Sequence, residues 1–101
     1  MKIKKLKDSQ IIDDSPQYRI SSDKGYVDFA ILNGEICAHT WRCPGEGRIF
    51  LRALEKYADE LKMKLTIPTV LNPKLRKILI DTGYSTKYVP YMDDVYELWG
   101  K

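Results

Sequence analysis

The sequence has few of the residues that build metal centres and disulfide frameworks. Its 101 residues include one histidine, His39, and two cysteines, Cys37 and Cys43. A structural zinc site needs about four cysteine or histidine ligands, so the sequence predicts no metal site. A disulfide between Cys37 and Cys43 is conceivable, but no secretory signal accompanies it, which favours two reduced thiols.

Long apolar runs are also missing. The longest, residues 29–32, has four residues, whereas a membrane helix needs about 20. Residues 1–7 carry lysines but no apolar stretch follows them, unlike a secretory signal. We therefore expect a cytoplasmic protein that does not associate with a membrane.

Glycine and proline are not enriched, with 6 and 5 residues, and 44% of the chain is hydrophobic. This composition excludes a disordered chain, which would lack the apolar area to offset its conformational entropy. The length predicts a single domain over residues 1–101. A monomer and a homodimer both remain open.

An excess of one charge is nearly absent as well. The chain has 17 lysines and arginines against 14 aspartates and glutamates, a net charge of +3. The basic residues neither form one run nor alternate with aromatic residues. This pattern argues against a nucleic-acid-binding protein.

The first half of the chain has the period-two pattern of β-strands. Asn33-Gly34 is the strongest hairpin signal, because both central residues of the favoured turn need a positive φ. The pattern predicts an antiparallel meander: a weak edge strand near residues 2–6, a loop that ends at Ser15-Pro16, and strands over residues 18–20, 26–32 and 35–41.

In the second half the period changes to 3.6 residues over about residues 47–62, which predicts an amphipathic helix. A short strand over 64–67 follows, then a helix that begins at Asn72-Pro73 and ends at Gly83. The strand-like patterns of residues 88–91 and 95–99 predict a final β-hairpin. The fold class is therefore α+β, with a mixed, mostly antiparallel sheet, a central strand-helix-strand unit and two helices.

The junction between the predicted strand over residues 35–41 and the first helix is the most informative segment. It has the sequence Arg42-Cys43-Pro44-Gly45-Glu46-Gly47. Glycines let backbone N–H groups approach a ligand closely, and a helix N-terminus adds unpaired donors and partial positive charge. These features predict a phosphate or pyrophosphate site. The Walker loop is excluded, since Gly-Lys-Ser/Thr is absent, and the dinucleotide fingerprint would need glycine where Phe50 stands.

This segment resembles motif A of the GNAT acetyltransferase superfamily, Q/R-x-x-G-x-G/A, with Arg42, Gly45 and Gly47 in its three fixed positions. The following residues 50–58 resemble the family's helix, Leu-Leu-x-x-Leu-x-x-Tyr-Ala. The family then has a strand, an asparagine that opens the next helix, and Gly-Phe or Gly-Tyr eleven residues later. Asn72 and Gly83-Tyr84 match that spacing. The likeness spans residues 26–84.

The resemblance implies a minimal GNAT-like fold and an acetyl-CoA-dependent N-acetyltransferase. Acetyl-CoA is the implied cosubstrate, with its pyrophosphate on the backbone amides of residues 44–48 and its thioester beside residues 36–38. A primary amine, on a protein lysine or a small molecule, would attack the carbonyl directly. The implied cofactor-binding residues are Ile36, Cys37, Ala38, Arg42, Cys43, Pro44, Gly45, Glu46, Gly47, Arg48 and Asn72.

His39 and Glu35 are the candidate general bases. For both residues a plainer interpretation stays open, since His39 can lie on the outer face of the sheet and Glu35 can be exposed beside the hairpin turn. Asn72 caps a helix whether or not it touches coenzyme A.

Two departures from the family favour an alternative. Family members typically begin with a strand and two helices that shape the acceptor site, and no helix is predicted ahead of the meander here. Many members also carry a tyrosine acid seven residues after the asparagine, where this chain has Leu79. The alternative is a catalytically silent GNAT-like module that binds a protein partner, for instance as an inhibitor.

Overall fold

A computed structural model describes residues 1–6 and 17–101 of the chain. The loop predicted between the edge strand and Pro16 lies in residues 7–16, outside the described residues. The elements in chain order are β1 (Lys2–Lys5), β2 (Gln17–Ser22), β3 (Gly25–Leu32), β4 (Glu35–Arg42), α1 (Gly47–Leu61), β5 (Lys64–Pro68), α2 (Pro73–Asp81), β6 (Ser85–Tyr91) and β7 (Asp94–Gly100).

The strands form one sheet in the order β1-β2-β3-β4-β5-β7-β6. Among the strands of residues 1–6 and 17–101, only the β4–β5 pair is parallel, and it is joined through α1. The other pairs are antiparallel. The predicted α+β class, with a mixed, mostly antiparallel sheet and two helices, is confirmed.

The predicted hairpin between β3 and β4 forms at Asn33-Gly34. These residues have φ of 53° and 74°, as a two-residue turn of the favoured type requires. The turn fixes the register Leu32↔Glu35 and Ile31↔Ile36. A slip by one residue would move every apolar side chain of the pair to the other face.

Both helices pack on the same face of the sheet. On that face Tyr57 of α1 meets the ring of Phe29 edge-on, with centroids 5.8 Å apart. Arg76 of α2 lies over the ring of Trp99 at 5.2 Å. Directly paired residues share a face, and the pairs Phe29↔Ala38, Ile36↔Leu65 and Ile67↔Trp99 connect these two positions across the sheet. The core lies between this face and the helices.

The core side of α1 is formed by Phe50, Leu51, Leu54 and Ala58, all buried. Its end has no glycine: Lys62 adopts the left-handed conformation at φ 55° and Met63 N–H donates to the Ala58 carbonyl. In α2, Leu75 and Leu79 are buried, and Gly83 follows the last turn at φ 91°. Within the part of the chain that the structure describes, neither helix has the length and apolarity to cross a bilayer.

Candidate functional site

Strands β4 and β5 pair for only part of their length. Their ladder runs from Glu35↔Lys64 to Cys37↔Thr66 and stops there, although β4 continues to Arg42 and β5 to Pro68. Beyond this point β5 pairs on its other side, with β7, at Ile67↔Trp99 and Pro68↔Leu98. The two strands therefore diverge and leave a cleft in the sheet, between residues 38–42 of β4 and 67–68 of β5.

A β-bulge in β4 lies beside this cleft. The β3–β4 register changes from Asp28↔Thr40 to Phe29↔Ala38, so His39 is one extra residue in β4. The His39 ring contacts Thr40 Oγ1 through Nδ1 at 2.8 Å and Gln17 Oε1 through Nε2 at 2.9 Å. The indole of Trp41 donates to the Ala38 carbonyl at 3.1 Å. These contacts hold His39 and Trp41, two of the β4 residues that line this wall of the cleft.

At the open end of the cleft, β4 passes into a tight turn. Glu46 N–H donates to the Cys43 carbonyl at 3.0 Å, closing a four-residue turn with Pro44 second and Gly45 third. Gly45 has φ of 75°, and a type II turn requires a positive φ at its third residue. A Cβ at Gly45 would meet no atom within 4 Å, so the residue is needed for its backbone conformation and not for space.

Helix α1 begins directly after this tight turn, and backbone N–H groups of its first helical turn remain available to donate hydrogen bonds. Its N-cap, Glu46, makes no side-chain cap hydrogen bond. Among the described residues no group accepts a hydrogen bond from the Gly47 or Arg48 amide. Such amides carry the positive end of the helix dipole. Gly47 also lets the helices approach closely, since a Cβ there would lie 3.3 Å from Ile78 Cδ1.

A cavity of about 520 Å³ opens in front of these amides. The N-termini of both helices border it, and three cationic side chains surround it. It is lined by Trp41, Arg42, Cys43, Pro44, Gly45, Gly47, Arg48, Asn72, Lys74, Leu75 and Ile78. A second cavity of about 360 Å³ shares Trp41, Arg42, Asn72 and Leu75 with it and reaches His39, Thr40, Ile67 and Pro68. The turn and the cleft therefore form one continuous depression.

Several residues singled out from the sequence meet at this depression. Arg42, Cys43, Pro44, Gly45, Gly47, Arg48 and Asn72 line the first cavity, and His39 lines the second. Glu46 is half-buried and lines neither cavity. Lys74 and Trp41 line the depression but were not singled out. Lys74 had one available signal, its position in the first turn after the Asn72 cap.

Asn72 forms the predicted helix cap. Its Oδ1 accepts from Lys74 N–H at 2.8 Å, and Pro73 follows at the first helical position. The same side chain lines both cavities. Capping and a position at the depression are therefore compatible.

Ile36 and Ala38 are buried on the helix side of β4, and Cys37 is half-buried on the other. Burial raises the pKa of the Cys37 thiol, against a hydrogen bond with Thr66 that lowers it. Burial and the nearby Glu46 raise the pKa of the Cys43 thiol. Both cysteines are free thiols, and their raised pKa values keep them protonated at neutral pH.

Glu35 lies at the far end of β4 from the turn. It pairs with Lys64 at the closed end of the β4–β5 ladder and lines neither cavity of the depression. An extended strand of this length separates Glu35 from Arg42 by about 23 Å. Of the two candidate bases, therefore, only His39 lies at the cleft.

The position where many family members carry the tyrosine acid, Leu79, and the tyrosine that follows Gly83, Tyr84, both lie away from the depression. Leu79 is fully buried in the core. The Tyr84 hydroxyl donates to Glu55 Oε2 at 2.7 Å. Burial and this hydrogen bond raise the pKa of Tyr84 far above its usual range. Tyr84 therefore stays protonated and is held in a structural contact with α1.

A polar cluster that sequence reasoning missed holds the loop between β5 and α2. Glu97 on β7 accepts hydrogen bonds from Arg76 at 2.8 Å, from the Trp99 indole at 2.6 Å and from Val70 N–H at 3.3 Å. Its carbonyl accepts from Thr69 N–H at 2.8 Å. Thr69 has φ of 41°, a strained conformation for a β-branched residue. The cluster thus fixes the loop that forms the β5 wall of the depression and leads to Asn72.

We expect Glu97→Gln to lower the free energy of unfolding by about 2 kcal/mol at pH 7, because three donors lose a charged acceptor. Burial alone would raise the pKa of Glu97, but hydrogen bonds from Trp99, Arg76 and Val70 hold it below its usual range. A depressed pKa contributes stability above the unfolded value and loses it as pH falls through the folded value. The difference between wild type and variant should therefore shrink below about pH 4.

Urea unfolding from pH 7 to pH 3 measures this difference. Glu60→Gln, at an exposed position of α1, is the matched control and should change stability by no more than about 0.5 kcal/mol. A Glu97→Gln penalty that stays constant across this pH range would contradict the charged role of Glu97.

A comparison of the chain with known protein families, with curated proteins and with solved structures finds no match.

Proposed function

We propose that this chain is a minimal GNAT-like acetyltransferase, which binds acetyl-CoA and transfers the acetyl group to a primary amine. The observation that carries the proposal is the position of the donor-rich first turn of α1. It lies at the open end of a cleft in the sheet, in the segment whose residues Arg42, Gly45 and Gly47 match motif A.

The depression has the donor set that a pyrophosphate needs. The Gly47 and Arg48 amides are available as donors, and backbone amides at a helix N-terminus stabilise phosphate oxygens. Arg42, Arg48 and Lys74 add positive charge around the same cavity. The Glu46 carboxylate is close in sequence but does not line the cavity, so its repulsion of the phosphates is reduced by distance and solvent.

The cleft suits the extended arm of the cosubstrate. Between residues 38–42 of β4 and 67–68 of β5 there is no ladder, so unpaired backbone groups of both strands can bind the amides of the pantetheine arm. In this arrangement the thioester lies near residues 36–38, where the two strands begin to pair. A backbone N–H of this segment would stabilise the oxyanion as the amine attacks, and one such donor contributes roughly 3 kcal/mol.

His39 is the general base that this geometry favours. It lies on the bulge beside the cleft, whereas Glu35 lies at the other end of β4. The base removes the ammonium proton, and the lone pair of the amine attacks the thioester carbonyl. The C–S bond then breaks as the carbonyl forms again, and the nitrogen loses its second proton on becoming an amide. The thiolate takes up a proton through water, since Leu79 is apolar and Tyr84 is held by Glu55. A thiolate is a good enough leaving group for this step without a side-chain acid.

We expect His39→Gln to slow release of coenzyme A by about tenfold to a hundredfold and to leave acetyl-CoA affinity unchanged. Glutamine keeps a polar group near the Nε2 position but cannot take the proton. Glu35→Gln is the matched control and should change the rate less than twofold. Free thiol release from acetyl-CoA with an amine panel, together with calorimetric titration of acetyl-CoA, measures both quantities. Equal rates for wild type and His39→Gln would contradict the role of His39.

A second candidate function is a binding module without turnover. The buried Leu79, in the position where many family members carry an acid, favours it. The two candidates differ in one result. Tight binding of acetyl-CoA with no thiol release from any amine would assign the module, and release that saturates with acetyl-CoA would assign the transferase.

A further inference from the structure

One face of the sheet carries neither helix. Along each strand, the residues between the core positions point to this face. The register of the strand pairs shows which residues these are. Asp28 pairs with both Arg19 and Thr40, and Pro68 pairs with Leu98. We call this side the open face, because among the described residues both helices lie on the opposite side.

The cleft connects the helix side to the open face. Trp41 and Ile67 face the helices, whereas Thr40 and Pro68 face the open side. The bulge brings His39 to the open side as well, where its ring contacts Gln17. If acetyl-CoA binds as proposed above, an amine that reaches its thioester near His39 arrives from the open face. This inference rests on the proposed function in that respect.

The open face is basic around the cleft. On one side of the cleft, the row of paired residues that ends at Thr40 contains Lys4, Arg19 and Asp28. On the other side, the paired residues are Pro68, Leu98 and Lys87. The next row contains Lys2, Ser21, Tyr26 and Arg42. The single carboxylate in these rows, Asp28, is already bound by Arg19 through two contacts of 2.7 Å and 3.1 Å.

Four cations on this face are available to a partner. Lys2, Lys4, Lys64 and Lys87 are exposed, and within residues 1–6 and 17–101 none of them forms an ion pair. Arg42 is exposed on this face as well, but it lines the cavity assigned above to the pyrophosphate. The other open-face carboxylates, Glu35 and Asp94, lie at strand ends away from these rows. The cations on β1 and β6 lie on opposite edges of the seven-stranded sheet, so together they span the face.

This charge pattern selects among amines. A free polyamine is itself cationic and would be repelled from a basic surface. An amine surrounded by carboxylates is attracted, because the carboxylates meet the lysines while the ammonium group reaches the cleft. The wide spacing of the cations fits an extended macromolecular partner better than a small molecule. We infer that the open face docks an acidic protein segment and that the acceptor is a lysine within that segment.

The test uses a dye-labelled, N-terminally blocked peptide with one lysine flanked on both sides by aspartates, and the same peptide with asparagines. Fluorescence anisotropy without acetyl-CoA measures binding, so failure of this inference and failure of acetyl-CoA binding are separate results. We expect the aspartate peptide to bind at least about tenfold more tightly at low salt. In the thiol-release assay it should also be the better acceptor.

Charge reversal locates the surface. Lys4→Glu combined with Lys87→Glu should weaken binding of the aspartate peptide about tenfold. Lys56→Glu combined with Lys77→Glu changes the net charge equally at exposed helix positions and should have less than about a twofold effect. Equal affinity for both peptides, or equal losses in both double variants, would overturn the inference. So would displacement of the peptide by a single-stranded oligonucleotide at lower concentration than by the peptide itself, since that result assigns the face to nucleic acid.

Discussion

Gly25→Ala is expected to remove most of the stability of this protein, by about 3 kcal/mol or more. Gly25 begins β3 with φ of 140°. A Cβ at this position would overlap the Arg42 carbonyl oxygen and lie 2.7 Å from Cys43 Cα. These are backbone atoms at the point where β4 passes into the turn, so they cannot move away as a side-chain tip would. The same contact positions the turn in front of α1.

Gly34→Ala is the matched control for this prediction. Gly34 also has a positive φ, 74°, but a Cβ there would meet no atom within 4 Å. Gly34→Ala should lower the free energy of unfolding by about 1 kcal/mol, because alanine is disfavoured at a positive φ. Urea unfolding of both variants separates the two effects. A Gly25→Ala midpoint equal to that of Gly34→Ala would contradict the close approach of Gly25 to β4.

Arg48→Pro is expected to weaken acetyl-CoA binding about tenfold more than Arg48→Ala. Both substitutions remove the guanidinium group, but only proline removes the backbone N–H of the second helical residue. Proline is tolerated in the first turn of a helix, where this N–H has no intrahelical partner. The comparison therefore isolates one backbone donor, which is the group the proposed pyrophosphate site depends on.

Calorimetric titration of the two variants with acetyl-CoA measures the difference, and their thermal midpoints serve as a control for folding. The Arg48–Asp81 contact, at 4.0 Å between exposed side chains, is lost equally in both variants and cancels. Equal affinity of the alanine and proline variants would contradict a role for the first-turn amides of α1.

The fold was predicted mainly from short-range features of the sequence, namely turn residues, helix-cap residues and hydrophobic periodicity. Asn33-Gly34 defines the β3–β4 hairpin, and the apolar period of α1 and the Asn72-Pro73 start of α2 predict both helices close to their observed bounds. The sequence placed the end of α1 only approximately. Lys62 takes the left-handed cap without glycine, because the hydrogen bond from Met63 to Ala58 and the packing of the next strand stabilise it.

Features that depend on contacts between distant residues were not predicted. The bulge at His39 interrupts the β3–β4 register, and the β4–β5 ladder stops at Cys37↔Thr66, while β5 pairs on its other side with β7. The Glu97 cluster joins residues on α2, β7 and the β5–α2 loop. Contacts between residues so far apart in the sequence leave no periodic pattern from which they could be predicted. In the site, motif spacing predicted the turn residues, but the contribution of Lys74 depends on how the two helix N-termini converge.

The most direct test of the account is a titration of the isotope-labelled protein with acetyl-CoA, followed through its backbone amide resonances. The account predicts saturable shifts at residues 45–48, with the Gly47 and Arg48 amides most affected, and further shifts along residues 38–42 and 67–70, the two walls of the depression. Absence of shifts at millimolar acetyl-CoA in the folded protein, or shifts confined to the β6–β7 hairpin, would contradict it.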